Sequence, residues 1–335
     1  MELKLSIIVP VYNRPEEIRE LLESLCLQTT QKDFEIVIVE DGSNESSEDV
    51  VQRFKNQLQI AYYFKPNSGP GDSRNFGMSK AKGNYFIILD SDCILPKQYL
   101  AEVHKELETD FVHCFGGPDA ADESFTIVQK AINYVMTSFF TTGGIRGGKK
   151  SVGKFQPRSF NMGISKEAYE KVGGFGRIHP GEDPDLTFRI WKSGYTSRLF
   201  PNAFVFHKRR IDWNKFYIQV NKFGMVRPIL NKWHPGTAKI TYWFPTIFIL
   251  GLSLSLVLLL MGFAIPIIVY SAYFFVLFID ALASAKNLKV AFLAIFAAII
   301  QFTGYGIGFL KSTMLLNFSS KEPEELLPKL FFKKR

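Results

Sequence analysis

Charge is almost absent from one long stretch of this 335-residue chain. Residues 241–318 carry only Asp280, Lys286, Lys289 and Lys311. A block that apolar cannot form the water-facing surface of an ordinary soluble domain, so it reads as membrane-spanning. Cysteine is also scarce. Cys26, Cys93 and Cys114 are odd in number and lack metal-ligand spacing. That excludes a disulfide framework or a structural zinc site and suits reduced, cytosolic thiols. A signal-peptide pattern is missing, because Met1-Glu-Leu-Lys runs directly into the strand-like Leu5-Ser-Ile-Ile-Val-Pro. The N-terminal domain is therefore expected in the cytoplasm. Nor is positive charge spread over the chain. Of the net +8, residues 206–239 supply +7, with eight bases (Lys208, Arg209, Arg210, Lys215, Lys222, Arg227, Lys232, Lys239) against Asp212. Little net positive charge remains elsewhere for a nucleic-acid face, and no nucleic acid is expected to bind. A basic segment just before apolar spans reads instead as a contact with anionic lipid on the cytoplasmic side.

What is present is rich in core-forming residues. Hydrophobic residues make up 47% of the chain and aromatics 15%, including 32 Phe, which excludes a disordered chain. Strand and helix patterns alternate from the start. Apolar runs at 5–12, 34–43, 60–64 and 85–90 read as strands, and 49–58 and 73–82 as helices between them. Asn13-Arg-Pro-Glu-Glu reads as the capped start of another helix, with Asn as cap and Pro in the first turn. This order predicts an α/β fold with a parallel sheet and right-handed crossovers. Its ligand site belongs at the carboxyl ends of the strands. Further on, residues 161–175 read as strand, helix and Gly-Gly turn. Gly181-Glu-Asp-Pro opens a helix, and 197–207 is a late strand. Residues 141–154, rich in Gly and Lys, read as a mobile loop.

Trp213, Phe216, Tyr217, Val220 and Phe223 fall on one helical face, an interfacial amphipathic pattern or a core-packed helix. Two or three spans are expected, at about 243–261, 267–283 and 290–310, the last interrupted by Gly304, Gly306 and Gly308 and read as either a full or an incomplete crossing. The resulting plan is a catalytic domain at 1–210, a basic interfacial segment at 211–240, a transmembrane region at 241–318 and a polar tail at 319–335.

The stretch YFIILDSD ends a buried strand on Asp90 and Asp92. Two like charges so close need something positive between or beside them. A hard divalent cation bridging to phosphate oxygens fits carboxylate ligands, and so does a basic side chain. A turn or cap aspartate pair is the plainer alternative. Nearby, Asn67-Ser-Gly-Pro-Gly-Asp-Ser-Arg begins a helix with the glycines and helix start that favour an anion. A dinucleotide fingerprint is not expected, because the first strand lacks the glycine loop where that motif belongs. The same position, PVYNRPE, lacks the Gly- and Lys-rich loop of a nucleotidyltransferase.

Five stretches carry a resemblance: IIVPVYNRPE, IVIVEDGSNESS, NSGPGDSRNFGMSKAKGNYFIILDSD, NMGISKEAYEKVGGF and GEDPDLTFRIWKSGY. In that order they resemble the family 2 glycosyltransferases, whose fold is GT-A, over roughly residues 5–210. The apolar tail resembles the membrane-attached branch of that family. The resemblance implies a nucleotide-sugar donor, a UDP-sugar being the commonest, and transfer with inversion. It implies that Pro10 and Tyr12 meet the nucleobase and that Asp41 hydrogen-bonds it. Asp72 and Arg74 would touch nucleotide and phosphate, and Asp90 the ribose or the metal. Asp92 would bind the metal, Mg2+ or Mn2+, with His207 completing its shell. Asp183 would be the general base and Glu182 its alternate, capping of the helix by Asp183 being compatible with either. The implied acceptor is a lipid-linked or surface glycan at the inner or plasma membrane, with the catalytic domain cytoplasmic. Gln219, Lys222 and Phe223 depart at two of three positions from the Gln-x-x-Arg-Trp motif of processive members. A processive polysaccharide synthase and a non-catalytic nucleotide- and membrane-binding scaffold stand as the alternatives.

Overall fold

The computed structural model describes residues 2–30, 32–120, 125–143, 155–207 and 212–332. The bases at 208–210, most of the 141–154 loop and Lys333, Lys334 and Arg335 lie outside the described residues. The chain forms two compact units. The first comprises Met1–Asp122, Gly148–Lys208 and Phe331–Arg335, and the second Glu123–Gly147 and Arg209–Leu330. Residues 123–147, drawn from within the 1–210 stretch, thus belong to the second.

The chain runs through β1 (Leu5–Val11), α1 (Pro15–Cys26), β2 (Phe34–Asp41), α2 (Glu48–Phe54), β3 (Ile60–Lys65), α3 (Pro70–Lys80) and β4 (Tyr85–Leu89). Next come β5 (Cys93–Ile94), α4 (Tyr99–Thr109), β6 (Cys114–Gly116) and β7 (Asp119–Ala120), then two helices of the second unit, α5 (Ile127–Thr137) and α6 (Phe139–Thr142). The first unit resumes with β8 (Asn161–Ser165), α7 (Lys166–Val172), α8 (Glu182–Lys192), β9 (Ser197–Leu199) and β10 (Val205–His207). The second continues with α9 (Trp213–Trp233), α10 (Phe244–Leu260), α11 (Ile265–Ala285), α12 (Leu288–Asn317) and α13 (Pro323–Leu326).

Seven strands form one sheet in the order β3-β2-β1-β4-β8-β6-β9, and β5-β10-β7 form a second. β1 to β4 pair in parallel, as the sequence pattern predicts, whereas β8 runs antiparallel to both β4 and β6. Buried parallel strands are continuously apolar because both faces are covered. Leu5, Ile7, Val9 and Val11 pack with Ile18, Leu21 and Leu22 of α1 and Tyr99 of α4. On the opposite face Ile8, Val37 and Val39 pack with Met78, Ala168, Leu186 and Ile190. The strand order reverses direction between β1 and β4, and a crevice at such a switch point is where α/β sheets bind ligands.

Gly163 of β8 lies directly across from Phe115 of β6, and a Cβ at Gly163 would enter the Phe115 ring. That ring stacks on Phe200 at 4.2 Å and on Tyr85 at 6.0 Å. Gly163→Ala is expected to push the stack apart and lower stability by about 1–3 kcal/mol. A lower thermal midpoint in detergent checks it, and an unchanged midpoint would show that the stack relaxes freely.

Several local expectations are corrected. Asn13 is not the cap of α1, whose N-cap is Arg14 with no side-chain cap bond. Asn13 instead sits at φ 53°, a left-handed conformation asparagine tolerates. From there its Oδ1 accepts from the N–H groups of Asn44 and Glu45 at 2.8 and 3.1 Å, tying the end of β1 to the end of β2. α3 begins three residues early, at Pro70, because Gly69 serves as N-cap and proline suits the first turn. The stretch 197–207 breaks into β9 and β10, which join different sheets.

In the second unit, three helices are long and apolar enough to cross a membrane, Ile240–Leu260, Ile265–Ala285 and Leu288–Asn317. The glycines of the third do not interrupt it. Two of them let α9 approach: a Cβ at Gly308 would strike the Asn221 carbonyl, and one at Gly304 would lie 2.6 Å from Val220, while Gly306 faces Pro245 and Thr246 of α10. Asn221 Nδ2 donates to the Gly304 carbonyl at 2.9 Å. Phe216 and Val220, on the face read as interfacial, are buried in this unit's core with Ala294, Ala297 and Ala298. Asp280, the one acid in the second span, accepts a hydrogen bond from the Tyr134 hydroxyl at 2.5 Å, the kind of partner an ionisable group in an apolar helix requires.

Candidate active site

Four parallel strands deliver polar residues to one edge of the first unit. β1 leads to Tyr12 and Arg14, β2 ends on Asp41, β3 on Lys65, and β4 leads into Asp90, Ser91 and Asp92. The in-register pairing of Asp41 with Lys65 puts that acid and base side by side. The positive partners demanded by Asp90 and Asp92 are basic side chains, and each acid has its own.

Asp90 Oδ1 accepts from Arg74 at 2.7 Å. The other arm of Arg74 reaches Glu182 Oε1 at 3.2 Å, and its guanidinium lies 5.2 Å from the Phe175 ring centroid. Only 3% of the Arg74 side chain is exposed. Burial disfavours its charge, but Asp90 and Glu182 outweigh that and raise its pKa. Arg74, which the resemblance places at nucleotide and phosphate, is here paired with Asp90 and Glu182. It is a buried clamp between two acids, one after β4 and one at the start of α8. Asp90 itself stays one-third exposed, at 32%.

Asp92 pairs with Arg14 through one oxygen and lies 3.2 Å from His207 Nε2 through the other. Burial alone would raise the Asp92 pKa, but His207 and Arg14 hold it well below the usual carboxylate range. His207 is stacked on Phe160 at 4.7 Å and is brought to Asp92 by the antiparallel pairing of β10 with β5, His207 opposite Cys93. Asp92, Cys93 and His207 can place one ligand atom each within 4.8 Å of one another. A carboxylate with an imidazole suits Mn2+ or Mg2+, and the Asp92 oxygen that faces His207 has no other partner among the described residues. Cys93 is a soft ligand whose thiol is turned to the Phe160 carbonyl. The donor set fits a divalent cation held by Asp92 and His207, with Arg14 as the charge that balances Asp92 otherwise.

Asp41 is buried, and its carboxylate organises the loop after β3. Oδ1 accepts from Lys65 Nζ at 2.7 Å and from the Ser68 N–H at 3.0 Å, and Oδ2 from the Gly69 N–H at 2.8 Å. Both lone pairs of Oδ1 are thus engaged, and Oδ2 keeps its second. Asp72 is exposed and lies 3.1 Å from the same lysine. Pro10 lies within β1, and Tyr12 is half-exposed just beyond it.

The pair Glu182-Asp183 opens α8 behind Gly181, which is the N-cap at φ 115°. The helix is thus capped without the Asp183 carboxylate, and that side chain is not spent on capping. Environment separates the two acids. Burial would raise the Glu182 pKa, but His179, 3.0 Å away, and Arg74 pull it down to about 2. Burial and the charge of Glu182 push Asp183 up to about 6. Asp183 Oδ1 has no hydrogen-bond partner among the described residues. One neighbour is a fixed anion and the other a carboxylate poised to take a proton near neutral pH, the separation expected of a general base beside its orienting acid.

Three residues of this site carried no warning in the sequence reading. Lys65 stands at the same strand end as Asp41, the position where polar residues were sought. His179 precedes Glu182 by three. Arg14 follows the first strand directly. In each case the spacing was visible and the partner was not.

Comparison with known proteins places this geometry. The family model described as "Glycosyl transferase family 2" matches residues 6–173. An uncharacterized glycosyltransferase of Rickettsia felis is 41% identical over 96 residues, which are 29% of this chain and 16% of that protein, so the chain spans a small part of the curated relative's length. Among solved structures, a mannosyltransferase of Pyrobaculum calidifontis, in complex with GDP-Man and Mn2+, aligns over 94% of this chain and 88% of its own, with a TM-score of 0.59 and 18% identity. The Staphylococcus aureus TarS 1–349 structure in complex with UDP-GlcNAc covers 99% of each chain at TM-score 0.50 and 17% identity. At those identities the likeness is one of fold, and the fold is the mixed-sheet GT-A arrangement that the sequence motifs resemble.

Proposed function

The chain belongs to glycosyl transferase family 2, and from that membership we propose that it is an inverting, metal-dependent glycosyltransferase acting at a membrane. Its donor is a nucleotide-sugar, a UDP- or GDP-sugar by analogy with the ligands of its two structural neighbours. The nucleobase sits against Pro10 and Tyr12 at the end of β1, with Asp41 and the loop it organises on the far side. Asp72 flanks the nucleotide. Asp90, held by Arg74, faces the ribose. Asp92 and His207 are the residues that would hold Mg2+ or Mn2+, and a bound cation offsets diphosphate charge as the leaving group departs.

The observation that carries the reading is the unpartnered Asp183 oxygen beside a charge-paired Glu182. Asp183 takes the proton from an acceptor hydroxyl, and that hydroxyl attacks the anomeric carbon in line, opposite the nucleotide. No covalent enzyme intermediate is required. Three helices of membrane-spanning length and the bases of α9 favour an acceptor that is itself membrane-held, a lipid-linked or surface glycan. They also favour a plasma-membrane location with the catalytic unit on the cytoplasmic side, against anionic lipid.

A donor screen tests this. Thermal midpoints of the full chain in detergent are recorded with UDP- and GDP-sugars, with and without Mn2+. One nucleotide class should stabilise, by about 2.7 kcal/mol at a hundredfold excess over Kd, and more with the metal present. Asp92→Ala should remove the metal-dependent part alone. If Asp92→Ala kept the full metal response, the metal assignment would fall. If neither nucleotide class shifted the wild type, the donor reading would fall with it.

A further inference from the structure

After the three membrane-length helices the chain comes back to the first unit. Phe331 pairs with Ile178 in an antiparallel bridge, and the Phe332 N–H donates to the Arg177 carbonyl at 3.1 Å. The Phe332 ring lies flat against Gly69, where any Cβ would enter it. Its centroid is 5.9 Å from that of His179. Gly69 caps α3 and donates to Asp41. His179 holds Glu182, which holds Arg74 and through it Asp90. One aromatic ring thus touches the donor loop on one side and the loop that leads to Glu182 and Asp183 on the other.

We propose that Phe332 is a positioning residue of the donor site, a strap that fixes the 67–69 loop against the 177–181 loop. Position 69 is glycine for two reasons that act together: its φ of 97° and the ring pressed on its α-carbon. The strap also constrains the membrane path. The chain leaves the first unit at Lys208 and re-enters it at Phe331. An excursion that begins and ends on one side of a bilayer crosses it an even number of times. Three full crossings by α10, α11 and α12 alone would place Phe331 on the far side, so the return of the strap excludes them.

The strap's role in donor binding rests on the glycosyl-transfer reading, but its packing does not, and the test separates them. Backbone hydrogen exchange is measured on the full-length protein in detergent for wild type, Phe332→Ala and Phe332→Leu. Phe332→Ala should speed exchange in both 67–80 and 177–185 and weaken UDP or GDP binding by roughly tenfold, which corresponds to ~1.4 kcal/mol. Phe332→Leu, which keeps apolar bulk, should recover most of both. Exchange unchanged in either segment overturns the strap. An exchange response in a wild type that binds no nucleoside diphosphate supports the strap and overturns the donor reading. Reporter tags placed before Met1 and after Arg335 should be accessible from the same side of membrane vesicles, and tags found on opposite sides overturn the proposal.

Discussion

Asp183→Asn is expected to reduce transfer by about 10²–10⁴-fold while leaving nucleotide affinity unchanged. The amide keeps the shape of the side chain and cannot accept the proton. The wild-type pH profile of kcat/KM should fall on the acid side with an apparent pKa near 6, because Asp183 is pushed up to about 6 by burial and by Glu182. Below that pH the base is protonated and idle. The same shift has the opposite sign for stability. A carboxyl whose folded pKa lies above its unfolded value takes up protons on folding, so wild type loses stability as pH rises from about 4 towards 6. Asp183→Asn removes that loss, and its thermal midpoint should exceed the wild-type value at pH 8 but not at pH 4. Glu182→Gln provides a separate check on the assignment. Removing the neighbouring anion should shift the acid limb below 6, because Asp183 then loses one of the two causes of its raised pKa. If Asp183→Asn retained wild-type turnover, the base would have to be another group.

Arg74→Met should produce the largest loss of stability in the catalytic unit, about 3–5 kcal/mol, the range for breaking a buried ion pair from one side. Asp90 and Glu182 both face this one guanidinium, and methionine would leave the buried Glu182 carboxylate with His179 as its remaining partner. A fall in thermal midpoint at pH 8 measures the effect. The loss should shrink as pH drops, because protonation discharges the stranded carboxylates. Arg74→Lys should rescue little, since a single ammonium cannot face two acids in the fork geometry of a guanidinium. The double variant Arg74→Met with Glu182→Gln should be less destabilised than the two single losses added together, because each partner is costly chiefly when the other stays. An Arg74→Met protein as stable as wild type would show that these pairs contribute no net stability, as exposed pairs often do not.

The sequence alone determined what depends on neighbours along the chain. The parallel strands were legible because strands covered on both faces are continuously apolar. The position of the site was legible because those runs break off at Asp41, Asp90 and Asp92. The membrane-length helices were legible from the scarcity of charge, and the family from five motifs in order. Element edges failed where a short-range rule had two solutions. Asn13 was read as a cap because asparagine caps helices, and only the proximity of the Asn44 and Glu45 amides redirected its side chain.

Tertiary structure decided the partners of the charged groups. Arg14 meets Asp92 across 78 positions and Arg74 meets Glu182 across 108, distances over which spacing carries no information. It decided that Arg74 is a clamp and that Glu182 is the charge-fixed acid and Asp183 the poised one. Which of two adjacent carboxylates holds its proton is set by burial and by the charges that face each. It also decided that Gly304 and Gly308 admit a neighbouring helix rather than break their own, and that Phe332 returns to Gly69. These are questions of which atoms occupy the same volume, and a chain folded back on itself answers them only through packing.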